Sequence, residues 1–135
     1  MGLLWLLLSP FLRAEPVTRE MLTAMDALCT AGPAAEAAID WENLQLYRAG
    51  LKSDLTAMYA ELSPTRRAAF RKAFVTGFAR SFQARAPGTG FSRAAGKFTI
   101  VNRGPHPSLQ AIGPSPLRIE FVRRQGRLKI SQLWL

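Results

Sequence analysis

The chain has 135 residues, of which 48% are hydrophobic, and its formal net charge is +9. This length and apolar content suit one folded domain with its own core, and they exclude a chain that stays disordered for lack of apolar residues. The single cysteine, Cys29, excludes an intramolecular disulfide framework and a multi-cysteine zinc site. The single histidine, His106, excludes a two-histidine metal site. The sequence therefore predicts no metal site and no bound cofactor.

The two halves of the chain differ sharply in charge. Residues 1–62 hold four basic and eight acidic residues, whereas residues 63–135 hold fourteen basic residues and a single acid, Glu120. A strongly basic half attracts polyanions, which include nucleic acid, anionic lipid headgroups and acidic proteins. The alternative interpretation is a solvated basic surface that the acidic half partly neutralises.

Residues 1–14 have the pattern of a secretory signal peptide. Residues 2–12 form an apolar run of the length typical of a signal sequence and too short to span a bilayer, and Ala14 is a candidate cleavage point. The alternative is a core or anchoring helix at the N-terminus. We predict a signal peptide over residues 1–14 and a single α+β domain over residues 15–135, located in the bacterial periplasm or secreted.

The domain begins with a predicted amphipathic helix. Thr18 is a candidate N-cap, and apolar residues from Met21 to Cys29 follow at helical spacing. The pair Gly32-Pro33 ends this helix.

A second, longer helix is predicted after a short connection. Residues 34–39 favour a short helix or turn that leads to Asp40, which is placed to cap the longer helix. Apolar residues then keep a spacing of three or four over residues 44–62, with Gly50 tolerated inside the helix.

The next helix begins at Ser63-Pro64, where serine is a favoured cap and proline suits the first turn. A phenylalanine stripe recurs along it every four residues, at Phe70, Phe74, Phe78 and Phe82. Basic residues flank the stripe, among them Arg66, Arg67 and Arg71. Glycine and proline at residues 87–90 end the helix.

The last part of the chain predicts strands, because its apolar period changes from 3.6 to 2. Strands are expected near Phe98 and over residues 108–112, and a hairpin turns at Gln125-Gly126. This turn sets Phe121 opposite Ile130 and Leu117 opposite Trp134. One face of the hairpin is then apolar, and the other carries Arg118, Glu120, Arg124, Arg127 and Lys129.

These elements predict an α+β fold, in which N-terminal helices pack on a C-terminal curved antiparallel sheet.

The predicted elements do not form a catalytic motif. His106 lies between two prolines in a predicted loop, and Cys29 lies on an apolar helix face with no cation beside it to lower its pKa. We therefore assign no catalytic residue. An enzyme of the same layout is the alternative, and it would need Asp40, Glu120, Tyr47 or Tyr59 to converge in a pocket.

The phenylalanine stripe has two interpretations. Stripes of this kind form solid core in most helices, but a helix that crosses a curved sheet can leave an apolar cavity beneath it. The cavity would be lined by Phe70, Phe74, Phe78 and Phe82 together with Ile119, Phe121 and Ile130, and Arg66, Arg67 and Arg71 would form a cationic rim. Such a site suits an amphiphile with an anionic head.

The order of elements resembles the cystatin-like cone of nuclear transport factor 2-like domains. Within that layout the chain resembles the periplasmic phospholipid carriers of the Mla system, also called toluene-tolerance auxiliary proteins. Those carriers have a Ser/Thr-x-x-Arg-x-x-Phe-x-x-x-Phe arrangement, and the matching stretch is Ser63-Pro-Thr-Arg66-Arg67-Ala-Ala-Phe70-Arg-Lys-Ala-Phe74. Their closing strands resemble Ile119-Glu-Phe121 and Gly126-Arg-Leu-Lys129-Ile130. The resemblance implies a protein that binds phospholipid and carries it between membranes.

Two functions follow as hypotheses. The first is an exported, non-catalytic binding module for an anionic amphiphile, with a phospholipid as one candidate. The second is a basic interaction protein that docks on an acidic protein partner or a membrane surface and holds no small-molecule ligand. Nucleic acid is not an expected partner, because no exposed aromatic residues are evident among the charges and export argues against it.

Overall fold

The computed structural model of the chain describes residues 16–48, 50–53, 55–85, 98–112 and 117–135, and for residues 82–85 it describes the backbone alone. The predicted signal peptide at residues 1–14 lies outside the described residues. So do the predicted breaks at residues 87–90 and 113–116.

Four helices and six strands occupy the described residues. The helices are α1 (Pro16–Thr30), α2 (Pro33–Ala37), α3 (Leu55–Glu61) and α4 (Pro64–Arg85). The strands are β1 (Gln45–Arg48), β2 (Leu51–Ser53), β3 (Phe98–Val101), β4 (Ser108–Ala111), β5 (Arg118–Arg124) and β6 (Arg127–Trp134).

The strands form one sheet in the order β2-β1-β6-β5-β4-β3. The α+β prediction is therefore confirmed. The sheet is not antiparallel throughout, however, because β1 runs parallel to β6 while the other neighbours are antiparallel. The sheet is thus mixed, and two of its strands precede the long helix α4 in the chain.

The predicted helix over residues 44–62 is wrong in its first half. β1 and β2 form a hairpin there, and only α3 is helical. Gly50 has a φ of 78°, in the left-handed region that turns use and helices do not. Leu44 is fully buried and Leu46 packs against the core, which matches the period of two in a strand. The same leucines also fit a helical spacing, although this segment forms strands.

Of the three predicted helix caps, one is confirmed. The Ser63 hydroxyl accepts a hydrogen bond of 3.3 Å from the Arg66 amide in the first turn of α4. Thr18 lies inside α1, which begins two residues earlier, and its hydroxyl accepts a hydrogen bond from Asn102. Asp40 precedes a turn instead of a helix, and its backbone carbonyl accepts from the Asn43 amide.

One face of the sheet, here called the inner face, meets the helices. Its side chains belong to a single core cluster that also contains Met21, Met25 and Leu28 of α1 and Val75 of α4. α1 packs on β6, and α4 packs on α1 and α2. Because α1 is inserted in this way, the long helix α4 forms an outer layer and does not cross the sheet directly. The inner-face residues in the cluster or packed against it are Leu46, Phe98, Ile100, Leu109, Ile119, Phe121, Leu128, Ile130 and Leu133.

The β5–β6 hairpin has the predicted turn but a different register at its far end. Gln125 and Gly126 both have positive φ, as a two-residue hairpin turn requires, and Phe121 pairs with Ile130 as predicted. A β-bulge after Glu120 then shifts the register, so that Trp134 pairs with Arg118 and not with Leu117. The bulge allows both Ile130 and Leu133 to reach the core, although they are three residues apart.

Candidate functional site

Among the described residues, the members of the predicted amphiphile site are divided between the core and the protein surface. Ile119, Phe121 and Ile130 are fully buried in the core cluster. A ligand would therefore reach them only if the core opened. The prediction assumed that the long helix crosses the sheet directly. In the structure α1 packs against both β6 and α4, so α4 lies outside α1.

The phenylalanine stripe of α4 packs partly in the core and partly in an aromatic cluster. Phe74 and Phe78 pack against the core cluster, and Phe70 lies 6.0 Å from Trp41 and 5.9 Å from Tyr59 between ring centroids. The stripe is partly exposed where it meets Trp41. The side chain of Phe82 lies outside the described residues.

The three predicted rim arginines have three different environments. Arg66 is exposed. Arg67 donates hydrogen bonds to the carbonyls of Tyr59 and Ala60, so it satisfies the last turn of α3. Arg67 and Arg71 are both partly buried beside Tyr59, and the Nη1 of Arg71 donates a 2.8 Å hydrogen bond to the Tyr59 hydroxyl.

Arg71 is held in one orientation by two neighbours. Besides the bond to Tyr59, its Nε lies 3.5 Å from Oε1 of Glu36 on α2. The hydrogen bond with Tyr59 is the main reason that the pKa of Arg71 is raised above its ordinary value, and Glu36 adds to the effect. Arg71 therefore stays cationic at every physiological pH. Among the described residues, its Nη2 has no hydrogen-bond partner.

Arg71 lies in the wall of a shallow groove of about 420 Å³, here called the α2–α4 groove. The groove is open to solvent along the edge where α2, α4 and β6 approach one another. A second cation enters it from β6, because the ammonium group of Lys129 donates a hydrogen bond to the Ala37 carbonyl at the end of α2. The residues that line the groove are Pro33, Glu36, Ala37, Ile39, Trp41, Arg71 and Lys129.

The groove combines apolar walls with two cations and one acid. Trp41 is fixed there, since its indole nitrogen donates a 2.8 Å hydrogen bond to the Glu36 carbonyl and its ring meets Phe74 edge-on at 5.4 Å. Oriented guanidinium and ammonium donors suit a carboxylate or phosphate, and the indole suits the apolar part of the same molecule. The arrangement can thus bind an anion with an apolar body.

A second basic surface lies on the opposite side of the sheet, here called the outer face. No described helix packs on it. Six side chains form one row across all six strands, here called the cross-sheet row: Lys52, Tyr47, Trp134, Arg118, Gln110 and Thr99. The predicted charged set is confirmed here, because Arg118, Glu120, Arg124, Arg127 and Lys129 all have outer-face positions in the hairpin register.

Sequence reasoning missed the contributions of two residues, Trp41 and Lys129, to the α2–α4 groove. Trp41 was not singled out, although a lone tryptophan after a short helix was an available signal. Lys129 was assigned only to the charged face of the hairpin, and its approach to α2 depends on Ile39 bridging to Ile130 beside β6. That long-range pairing leaves no pattern in the local sequence.

The described residues include no cluster of three or more His, Cys, Asp or Glu side chains that could hold a metal ion. His106 is exposed in its loop and Cys29 is buried. None of the helices in the described part of the chain has the length and apolarity needed to cross a membrane. Comparison of the chain with protein-family models, with curated proteins and with solved structures gave no significant match.

Proposed function

We propose that the protein is a non-catalytic binding module for an anionic amphiphile, and that the α2–α4 groove is its site. Arg71 and Lys129 bind the anionic head, and Ile39 and Trp41 contact the apolar part. The single observation that supports this most strongly is the convergence of an oriented arginine, a lysine and a fixed indole on one open groove.

The size of the groove narrows the ligand class. Its volume of about 420 Å³ is at the lower end of the roughly 300–1,000 Å³ typical of small-molecule sites. A single short chain with a carboxylate or phosphate head fits this volume better than a whole phospholipid with two acyl chains. A phospholipid would have to leave most of its chains outside the groove.

Export and family membership are part of the same proposal. The apolar segment over residues 1–14 favours a periplasmic or secreted protein, in which free amphiphiles are an expected ligand. The helix start at Ser63, the phenylalanine stripe and the closing hairpin favour a cystatin-like, nuclear transport factor 2-like cone of the Mla carrier type. An experimental structure that shows how strongly the sheet curves would test the cone.

The proposal is tested by calorimetric titration of the purified protein with decanoate and with decanol. Decanoate should bind more tightly, because only its carboxylate interacts with Arg71. Arg71→Gln should weaken decanoate binding by roughly tenfold to a hundredfold, which corresponds to a lost hydrogen bond between charged groups. The same substitution should leave decanol binding nearly unchanged.

Lys72→Gln is the matched control, because Lys72 is the exposed neighbour of Arg71 on α4 and does not line the groove. It should change decanoate affinity by less than about twofold, since an exposed charge is screened by solvent. Equal affinity for decanoate and decanol, or no binding of either, would contradict the proposal.

A further inference from the structure

The outer face of the sheet is the strongest unassigned feature of the molecule. It is broad, its residues come from all six strands, and no described helix packs on it. Its exposed cations and aromatic residues are not used by the α2–α4 groove, with the exception of Lys129. A surface of this kind needs an explanation separate from the groove.

In the cross-sheet row, two adjacent aromatic side chains lie between two cationic ones. The rings of Tyr47 and Trp134 stack at 4.8 Å with an angle of 5° between their planes, and the Arg118 guanidinium lies 5.0 Å from the Trp134 ring centroid. Lys52 stands opposite Tyr47 on the edge strand. Because the Trp134 ring is stacked against Tyr47 and contacted by Arg118, the row is poorly suited to stacking with nucleic-acid bases.

Exposed apolar side chains lie at the β3–β4 end of the sheet. Val101 is 48% exposed and pairs with Ser108, which places it on the outer face. Ile112, the residue directly after β4, is 61% exposed. These are two of the four large hydrophobic residues that are most exposed in the described chain. The outer face and its β3–β4 end thus combine tryptophan, tyrosine, basic residues and exposed aliphatic residues.

The balance of charge on the outer face is positive. Arg118 is 3.6 Å from Glu120, and Arg124 is 3.0 Å from Asp40, so these two cations are neutralised locally. The side chains of Lys52 and Arg127 are exposed and have no ion-pair or hydrogen-bond partner among the described residues. The face therefore presents unpaired positive charge at the β2 edge and at the hairpin tip.

We infer that the outer face docks the protein on an anionic lipid membrane. Basic side chains near a bilayer are attracted to anionic headgroups, while tryptophan and tyrosine prefer the interface and exposed aliphatic side chains enter the acyl boundary. The outer face supplies all three. An acidic protein would use the cations but would not explain Val101 and Ile112. This surface is separate from the groove and does not depend on the function proposed for it.

The inference is tested by co-sedimentation of the full chain with phosphatidylcholine vesicles that contain or lack phosphatidylglycerol. The protein should bind only the vesicles with phosphatidylglycerol, and added salt should weaken the binding. The double variant Lys52→Glu/Arg127→Glu should lower the binding constant by at least about thirtyfold, because each basic residue near the surface contributes about fivefold.

The matched control is Arg66→Glu/Arg80→Glu, which makes the same change in net charge on the exposed side of α4. Its vesicle binding should fall by no more than about threefold, since α4 lies on the inner side of the sheet, away from the docked face, and solvent screens charges with distance. A second variant, Val101→Ser/Ile112→Ser, should also weaken vesicle binding, whereas Met58→Ser on α3 should not. Thermal unfolding of each variant shows that it is folded. Decanoate titration of each variant shows that the groove is intact, which keeps this test distinct from the groove proposal.

Two results would overturn the inference. One is equal loss of vesicle binding in the outer-face variant and the α4 variant, which would show that net charge alone matters. The other is tight binding of poly-glutamate by the outer face without binding of vesicles, which would make an acidic protein the partner.

Discussion

The inner and outer faces of the sheet are built from the same strands, but they differ in burial and in charge. On the inner face, Ile119, Phe121 and Ile130 are fully buried, and α1 packs against them. On the outer face, the alternate residues Arg118 and Glu120 form an ion pair that solvent reaches. Because side chains alternate between the two faces of a strand, the inner-face residues build the core and the outer-face positions can carry charge.

A buried phenylalanine tests this contrast with the largest expected effect. Phe121→Ala should lower the free energy of unfolding by about 3–5 kcal/mol, because it removes a fully buried ring and leaves a cavity. Val122→Ala, one position further on the outer face, should cost less than about 1 kcal/mol, since Val122 is only partly buried. Chemical denaturation measures both, and equal losses would contradict the assignment of the two faces.

The contact between α1 and the β5–β6 hairpin gives the next largest expected loss of stability. A Glu20 carboxylate oxygen accepts a 2.8 Å hydrogen bond from the Leu128 amide, and the other lies 3.5 Å from Arg123. Glu20→Ala should cost about 1–3 kcal/mol, because the partly buried amide loses its acceptor. Glu20→Gln should cost less, since an amide oxygen can still accept. A denaturation series in which the two variants are equally destabilised would show that the hydrogen bond is unimportant.

The hairpin turn fixes which side chains of β5 and β6 point to which face. Gly126→Ala should destabilise the protein by about 1–2 kcal/mol, since residue 126 has a φ of 79°. Gln125→Asn should be neutral or stabilising, because asparagine tolerates positive φ better than glutamine. Thermal unfolding compares them. Tolerance of Gly126→Ala would mean that the turn differs from the one described.

Charge reversal on the outer face should have the smallest effect on stability. Lys52→Glu/Arg127→Glu should change the free energy of unfolding by less than about 1 kcal/mol, because both side chains are exposed. The measurement is the midpoint of urea denaturation. A large loss would show that these cations stabilise the fold and are not free for docking.

The sequence predicted the elements whose signals are local. The helix start at Ser63, the phenylalanine spacing and the Gln125-Gly126 turn each depend on a few adjacent residues, and the structure has all three. The β1–β2 hairpin was missed because its leucines also fit a helical period, and Gly50 was assigned to a helix instead of to a turn.

Long-range pairing explains the remaining differences. The parallel contact of β1 with β6 joins residues far apart in the chain, as Gln45 pairs with Gln132. It is accompanied by the bridge from Ile39 to Ile130, which brings Lys129 to the end of α2 and so completes the groove. The sequence predicted an anionic amphiphile from the phenylalanine stripe and from Arg66, Arg67 and Arg71 together, but the partners of Arg71 could be found only in three dimensions.

The most direct test of the groove proposal compares two tryptophans in one experiment. Trp41 lines the groove and Trp134 lies in the cross-sheet row, and each has an indole N–H signal in a nitrogen–proton correlation spectrum. Trp41→Phe and Trp134→Phe assign the two signals. On titration with decanoate, the Trp41 signal should shift and saturate while the Trp134 signal stays in place. A shift of Trp134 alone, or of neither signal, would contradict the assignment of the α2–α4 groove as the ligand site.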